Sequence, residues 1–185
     1  MRRVLSLSLM SFLLLSAGVA TAAPFVGSLT FEGLKDGDLV GDYYISEGIT
    51  FTGFTAVAGD YYTCFNTDVT CSASVGFGAV MNVAPGFEKG LSFYFKSGGS
   101  GDVLLYDQLN GQGTLLADVW LWQATSLWEP FGFPFNGLAQ SAVFHGNMEV
   151  AVLTMGGGMV IPEPSTVLLL LSGIGNLAGL RRLRP

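Results

Sequence analysis

Between Pro24 and Val160 the apolar residues come in short runs that alternate with polar ones, and no run keeps a helical period. That pattern restricts the chain to strands, because a period of two places successive side chains on opposite faces of a pleated backbone. Glycine, present 26 times, and other turn residues interrupt the runs every eight to twelve positions. "SLTFEGL" reads as a strand, followed by the turn-rich "KDGDLVGD". "YYISEGITFTGFTAV" reads as two strands broken at Glu47-Gly48. "VGFGAVMNVA" and "KGLSFYFKS" are two more, separated by "PGFE", and "DVLLYDQ" follows the turn "GGSG". In "DVLLYDQ", Val103 and Leu105 face opposite to Leu104 and Tyr106. "LNGQG" is a hairpin signal through Asn110-Gly111. "TLLADVWLWQA", "WEPFGFPF", "QSAVFHG" and "MEVAVLTMG" bring the total to about ten strands. The expected fold is all-β, an antiparallel sandwich or jelly roll of roughly 130–140 residues. No period recurs, which excludes a solenoid or propeller.

The two ends follow different rules. "MRR" and the apolar run Val4 to Leu15 lead to Ala20-Thr21-Ala22, whose small residues stand at the positions signal peptidase requires. Residues 1–22 therefore read as a secretory signal, with the mature chain starting at Ala23. Five of the eight basic residues lie at the chain ends, so the middle keeps Lys35, Lys89 and Lys96 against thirteen carboxylates. A body this acidic repels phosphate backbones and disfavours nucleic acid as a partner.

Export gives the two cysteines a meaning. Cys64 and Cys71 flank the polar "FNTDVT", and a disulfide across so short a loop contributes roughly 2–3 kcal/mol on the chain-entropy model. A metal pair or redox thiol lacks support, since the spacing is not CxxC and the lone His145 is far away in sequence. Asp36, Asp38 and Asp42 offer a calcium reading. Val40 occupies the fifth loop position, however, and the closing Glu is missing, so Asp-Gly turn chemistry is the stronger interpretation. No metal and no cofactor is expected. A Ser–His–Asp triad would have to use His145, and no GxSxG elbow exists; His145 reads as a strand-end residue. Trp120, Trp122 and Trp128 could stack on sugars. In an uninterrupted strand the first two would share one face, which a plain apolar sheet face also explains.

At the other end, Pro162-Glu163-Pro164 precedes an apolar run whose polar side chains between Val167 and Leu180 are Ser172 and Asn176. A helix from Ser165 to Leu180 would be about 24 Å long, a little short of a hydrocarbon core of about 30 Å. Arg181, Arg182 and Arg184 follow and hold that end on the cytoplasmic side. The two prolines keep the segment before the helix extended and readable. This tripartite tail closely resembles the PEP-CTERM sorting signal of Gram-negative bacteria. The resemblance implies recognition of residues 161–185 by exosortase, a membrane thiol enzyme that processes such tails, and an inner-membrane intermediate with a transmembrane helix at about 165–180. The body, residues 23–160, is also similar to domains that precede such tails. "LTFEGLKDGDLVGDYYISEGITFTG", "GLSFYFKS…GDVLLYDQLNGQGTLLADVWL" and "FNGLAQSAVFHG" carry that similarity. "VAVLTMG" departs from it, since Ala151 and Val152 stand where relatives carry a polar pair.

These readings together describe a non-enzymatic surface or matrix protein, exported through signal peptidase and exosortase and associated with exopolysaccharide and biofilm. A carbohydrate-binding module of the same matrix is the alternative. A matrix glycan hydrolase is the third reading, and it needs two carboxylates converging in one cleft.

Overall fold

The alternation becomes a sheet whose strands are bent wherever the pattern slips. A computed structural model of the chain describes residues 22–58 and 70–156. Nine strands form there: β1 (Gly27–Leu29), β2 (Ile49–Ala58), β3 (Thr70–Phe87), β4 (Gly90–Ser97), β5 (Gly101–Tyr106), β6 (Leu115–Leu121), β7 (Ala124–Pro134), β8 (Ala139–His145) and β9 (Met148–Met155). All pairings are antiparallel. The expected all-β antiparallel class is present. Tyr43 and Tyr44, expected in a strand, instead lead into a short 3-10 turn (Ile45–Glu47), and the two strands expected on either side of Phe87 start and end differently, since β3 runs on to Phe87. The signal segment through Ala20, Cys64, and the tail with Pro162, Glu163, Pro164, Arg181, Arg182 and Arg184 lie outside the described residues. Cys71 is buried at the start of β3, and no cysteine among the described residues is a free thiol.

The strand path runs β6-β5-β8-β3-β9-β4-β7, with β1 added to β9 and β2 added to β3. β3 is the strand that joins the halves. Its later part, from Ala79 to Phe87, pairs with β8, whereas Ser72 to Val75 pair with β9. β6 and β7 are the two ends of the path, yet only Trp122 and Gln123 separate them in sequence. Three Cα steps span at most about 11 Å, close to the ~10 Å between two stacked sheets. The sheet therefore curls until its ends face each other. The core records this closure: Phe144 of β8 meets Phe54 of β2 at 5.4 Å between ring centroids, and Phe93 of β4, from the other half, at 6.0 Å. Edge strand β7 carries Pro130 and Pro134, which a central strand would not tolerate.

Each slip in the alternation is a bulge. In β2, Ile49 and Phe51 point inward, then Phe54 and Ala56 do so one residue out of phase. The register shift falls at Gly53, with φ of 77°, and a Cβ there would press on Ala79 at 3.0–3.2 Å. In β9 the break falls at Val152 (φ 52°), so that Ala151 and Val150 are both buried. Here β9 exchanges one neighbour, β3, for β1.

Phe31 is another non-glycine residue at positive φ (60°), and its buried ring and backbone fix it there. Its N–H donates to the Tyr44 hydroxyl oxygen at 2.8 Å. Burial pushes the Tyr44 hydroxyl pKa up to about 12, opposed by that same N–H. The folded state thus keeps this proton in a window, roughly pH 10 to 12, where the unfolded chain releases it. The stabilising contribution is complete below the ordinary tyrosine value and is lost as pH rises through the folded one. A phenolate absorbance titration should show one late-titrating tyrosine, absent in Tyr44→Phe. A late step that persists in that variant would contradict this assignment.

Candidate functional site

The three tryptophans do not form one platform. β6 ends at Leu121, so its alternation stops before Trp122. Trp120 points away from the core and is 63% exposed. Trp122, in the link between β6 and β7, is 39% exposed, but its ring turns back onto core residue Phe95 (5.4 Å) and onto Phe131 (5.6 Å). The expectation that the two indoles share a face is thereby corrected: the chain must cross from one sheet end to the other at Trp122. Trp128 is buried, only 8% exposed, in a small cluster with Cys71 and Ala151, against which Tyr94 and Val152 pack.

Trp120 nevertheless has company. Strand register places it opposite Asp102 of β5, and Asp102 opposite His145 of β8. Directly opposed residues share a face, and their neighbours Leu121, Val103 and Phe144 fill the core on the other side. The His145 Nδ1 and Asp102 Oδ1 lie 2.7 Å apart. A carboxylate only accepts, so Nδ1–H is the donor, which directs Nε2 and the second Asp102 oxygen to other partners. His145 then stacks on Phe77 of β3, with centroids 5.2 Å apart and planes inclined by 18°. Phe77 sits in the Gly76-Phe77-Gly78 bulge, where the β2–β3 register jumps from Thr52↔Val80 to Phe54↔Val75. Gly78 has φ of 75°, and Phe77, extruded there, is 78% exposed. The result is one row across β6, β5, β8 and β3: indole, carboxylate, imidazole, phenyl. Three strand spacings make it about 14 Å long.

Two flat apolar surfaces flanking fixed hydrogen-bonding groups suit a ligand with apolar ring faces and polar edges. The Asp–His pair is also two-thirds of a nucleophilic triad, but no described serine or threonine hydroxyl is hydrogen-bonded to His145. Asp118, two residues before Trp120, lies diagonally from Asp102 on the same face. Both stand on an open sheet surface, not in a cleft.

The acidic turn uses its carboxylates internally. Asp38 Oδ2 accepts from the Lys35 N–H (2.9 Å), and Asp36 Oδ1 accepts from the Ala58 N–H (3.0 Å). Main-chain bonds of this loop, such as Ala56 N–H to the Asp38 carbonyl, cover the free edge of β2. Asp42 supplies its carbonyl to the Ile45 N–H. Among the described residues, no group of three His, Cys, Asp or Glu side chains is placed to hold a metal ion.

A groove of about 280 Å³ opens beside the row, lined by Ser74, Lys96, Ser97, Thr125, Asn147 and Glu149 among others. Glu149 lies opposite Ser74 on one side and Lys96 on the other. Its Oε2 is out of reach of solvent and has no hydrogen-bond partner among the described residues.

No family model and no curated protein matches this chain. Solved structures with a partly similar fold include CsCBM6-3 from Clostridium stercorarium in complex with cellobiose. It is 9% identical with a TM-score of 0.46, over 75% of this chain and 98% of that one. A second structure, of a family 6 carbohydrate-binding module, matches at 10% identity and a TM-score of 0.46, over 74% and 97% of the two chains. A family 29 carbohydrate-binding module matches at 13% and 0.41, over 75% and 97%. With TM-scores below 0.5, these likenesses carry no weight for the site, which rests on its own geometry.

Proposed function

We propose that this chain is an exported, non-catalytic polysaccharide-binding protein of the cell surface or extracellular matrix. The observation that carries the reading is the exposed row of Trp120, Asp102, His145 and Phe77. Exposed aromatic rings can cover the apolar faces of sugar units, while Asp102 and the imidazole Nε2 accept their hydroxyl protons. An acidic body with few lysines fits a neutral polymer better than an anionic one. Equilibrium binding to neutral polysaccharides, including the producer's own polymer, tests the reading. Measurable binding is expected, and absence of binding across the panel would overturn it.

Delivery is the second part of the proposal. Signal peptidase acts after Ala22, Cys64 pairs with Cys71 in the oxidising compartment, and exosortase recognises Pro162-Glu163-Pro164 with the following helix and arginines. Intact-mass spectrometry of the exported protein reads all three at once. The expected product starts at Ala23, resists thiol alkylation until reduced, and has lost its C-terminal segment in cells that contain exosortase. A C-terminus at Pro185 with or without the enzyme would make the tail a plain anchor, and alkylation of two thiols before reduction would remove the disulfide.

A further inference from the structure

The groove beside the row holds a group that the body of the fold does not satisfy. Glu149 is half-buried in the groove wall, and holding its Oε2 out of solvent without a donor costs free energy. Around it stand the exposed Ser74, together with Asn147, Thr125 and Lys96, a mixed set of donors and acceptors at the scale of a single small ring. Its position matters as much as its chemistry. Four chain segments each have one foot in the row and the other in the groove: Phe77 and Ser74 on β3, His145 and Asn147 across the β8–β9 turn, Asp102 and Gly98 across the β4–β5 turn, and Trp120 and Thr125 across the β6–β7 link. On β3 the separation is three residues, about 10 Å.

We infer that the row and the groove are one continuous track for an extended neutral polysaccharide. The groove takes a single sugar unit, whose hydroxyls meet its polar lining, Ser74, Thr125, Asn147 and the part of half-buried Glu149 that faces the groove. This rests on the polysaccharide reading and adds to it a length requirement: a ligand long enough to lie on the row and reach the groove gains a contact that a disaccharide on the row does not make.

The test is isothermal titration of the exported protein with ladders of two to six units built from glucose, xylose, mannose and N-acetylglucosamine. Glu149→Ala is expected to weaken hexasaccharide binding about tenfold and to leave disaccharide binding unchanged. Because removal of Glu149 could disturb β9, Ser74→Tyr provides a second variant: it fills the groove from an exposed position and should produce the same length-dependent loss. Trp120→Ala should weaken binding at every length. If both groove variants bind hexasaccharides like the parent protein, or lose all lengths equally, the groove is not a subsite, although the row still binds. If the parent protein binds no member of any ladder, the polysaccharide reading falls and this inference falls with it.

Discussion

Phe144→Ala is expected to destabilise the domain by about 4 kcal/mol, within the 3–5 kcal/mol typical of buried phenylalanine truncations. Phe144 is fully buried and touches Phe54 from its own half of the sheet and Phe93 from the other. Its removal opens a cavity at the contact that holds the curled sheet closed, and β3 and β8 are too tightly paired nearby to collapse into it. Since single domains are stable by only about 5–15 kcal/mol, much of the margin would be lost. Chemical denaturation should show a lower midpoint with an unchanged slope. A loss below about 1 kcal/mol would mean that the two halves do not depend on this contact.

The second large effect concerns binding and separates two neighbouring tryptophans. Trp120→Ala should leave stability within about 0.5 kcal/mol of the parent, as is usual at exposed positions. It should weaken polysaccharide binding by about 2 kcal/mol, roughly 30-fold, the scale on which a central tryptophan acts in an interface. Trp122→Ala should do the reverse. Its ring packs on Phe95 and Phe131 where the chain crosses between the sheet ends, so its loss should lower stability and leave binding largely intact. Denaturation midpoints and titration calorimetry on the two variants decide the matter. Equal behaviour of the pair would contradict the division between a free-standing Trp120 and a Trp122 that, although 39% exposed, packs its ring on Phe95 and Phe131.

Much of the core was legible from alternation, because residues such as Val103, Leu105, Phe93 and Phe95 fall where a period of two places them. The failures sit at bulges and at strand ends. Alternation alone would turn Phe77 inward with Val75 and Ala79. The glycines on both sides of it allow the bulge that expels it, and Gly-Phe-Gly was the available signal. The tyrosine pair before Gly48 lost strand character because the chain there turns to cover Phe31. Trp120 could be named as a candidate from sequence, but its partners could not. Asp102 and His145 meet through a β5–β8 pairing between strands distant in the chain, and such a register is decided by the whole sheet. Glu149 carried no local signal at all; its buried oxygen is a property of the packed groove.

The most direct test follows the three indole N–H signals of the folded domain by NMR while hexasaccharides of glucose, xylose, mannose and N-acetylglucosamine are added in turn. With at least one of these sugars the Trp120 signal is expected to move saturably, whereas that of buried Trp128 stays in place. No movement with any of the four sugars, or movement of Trp128 with Trp120 unmoved, would contradict the assignment of the β6-β5-β8-β3 face as the binding surface.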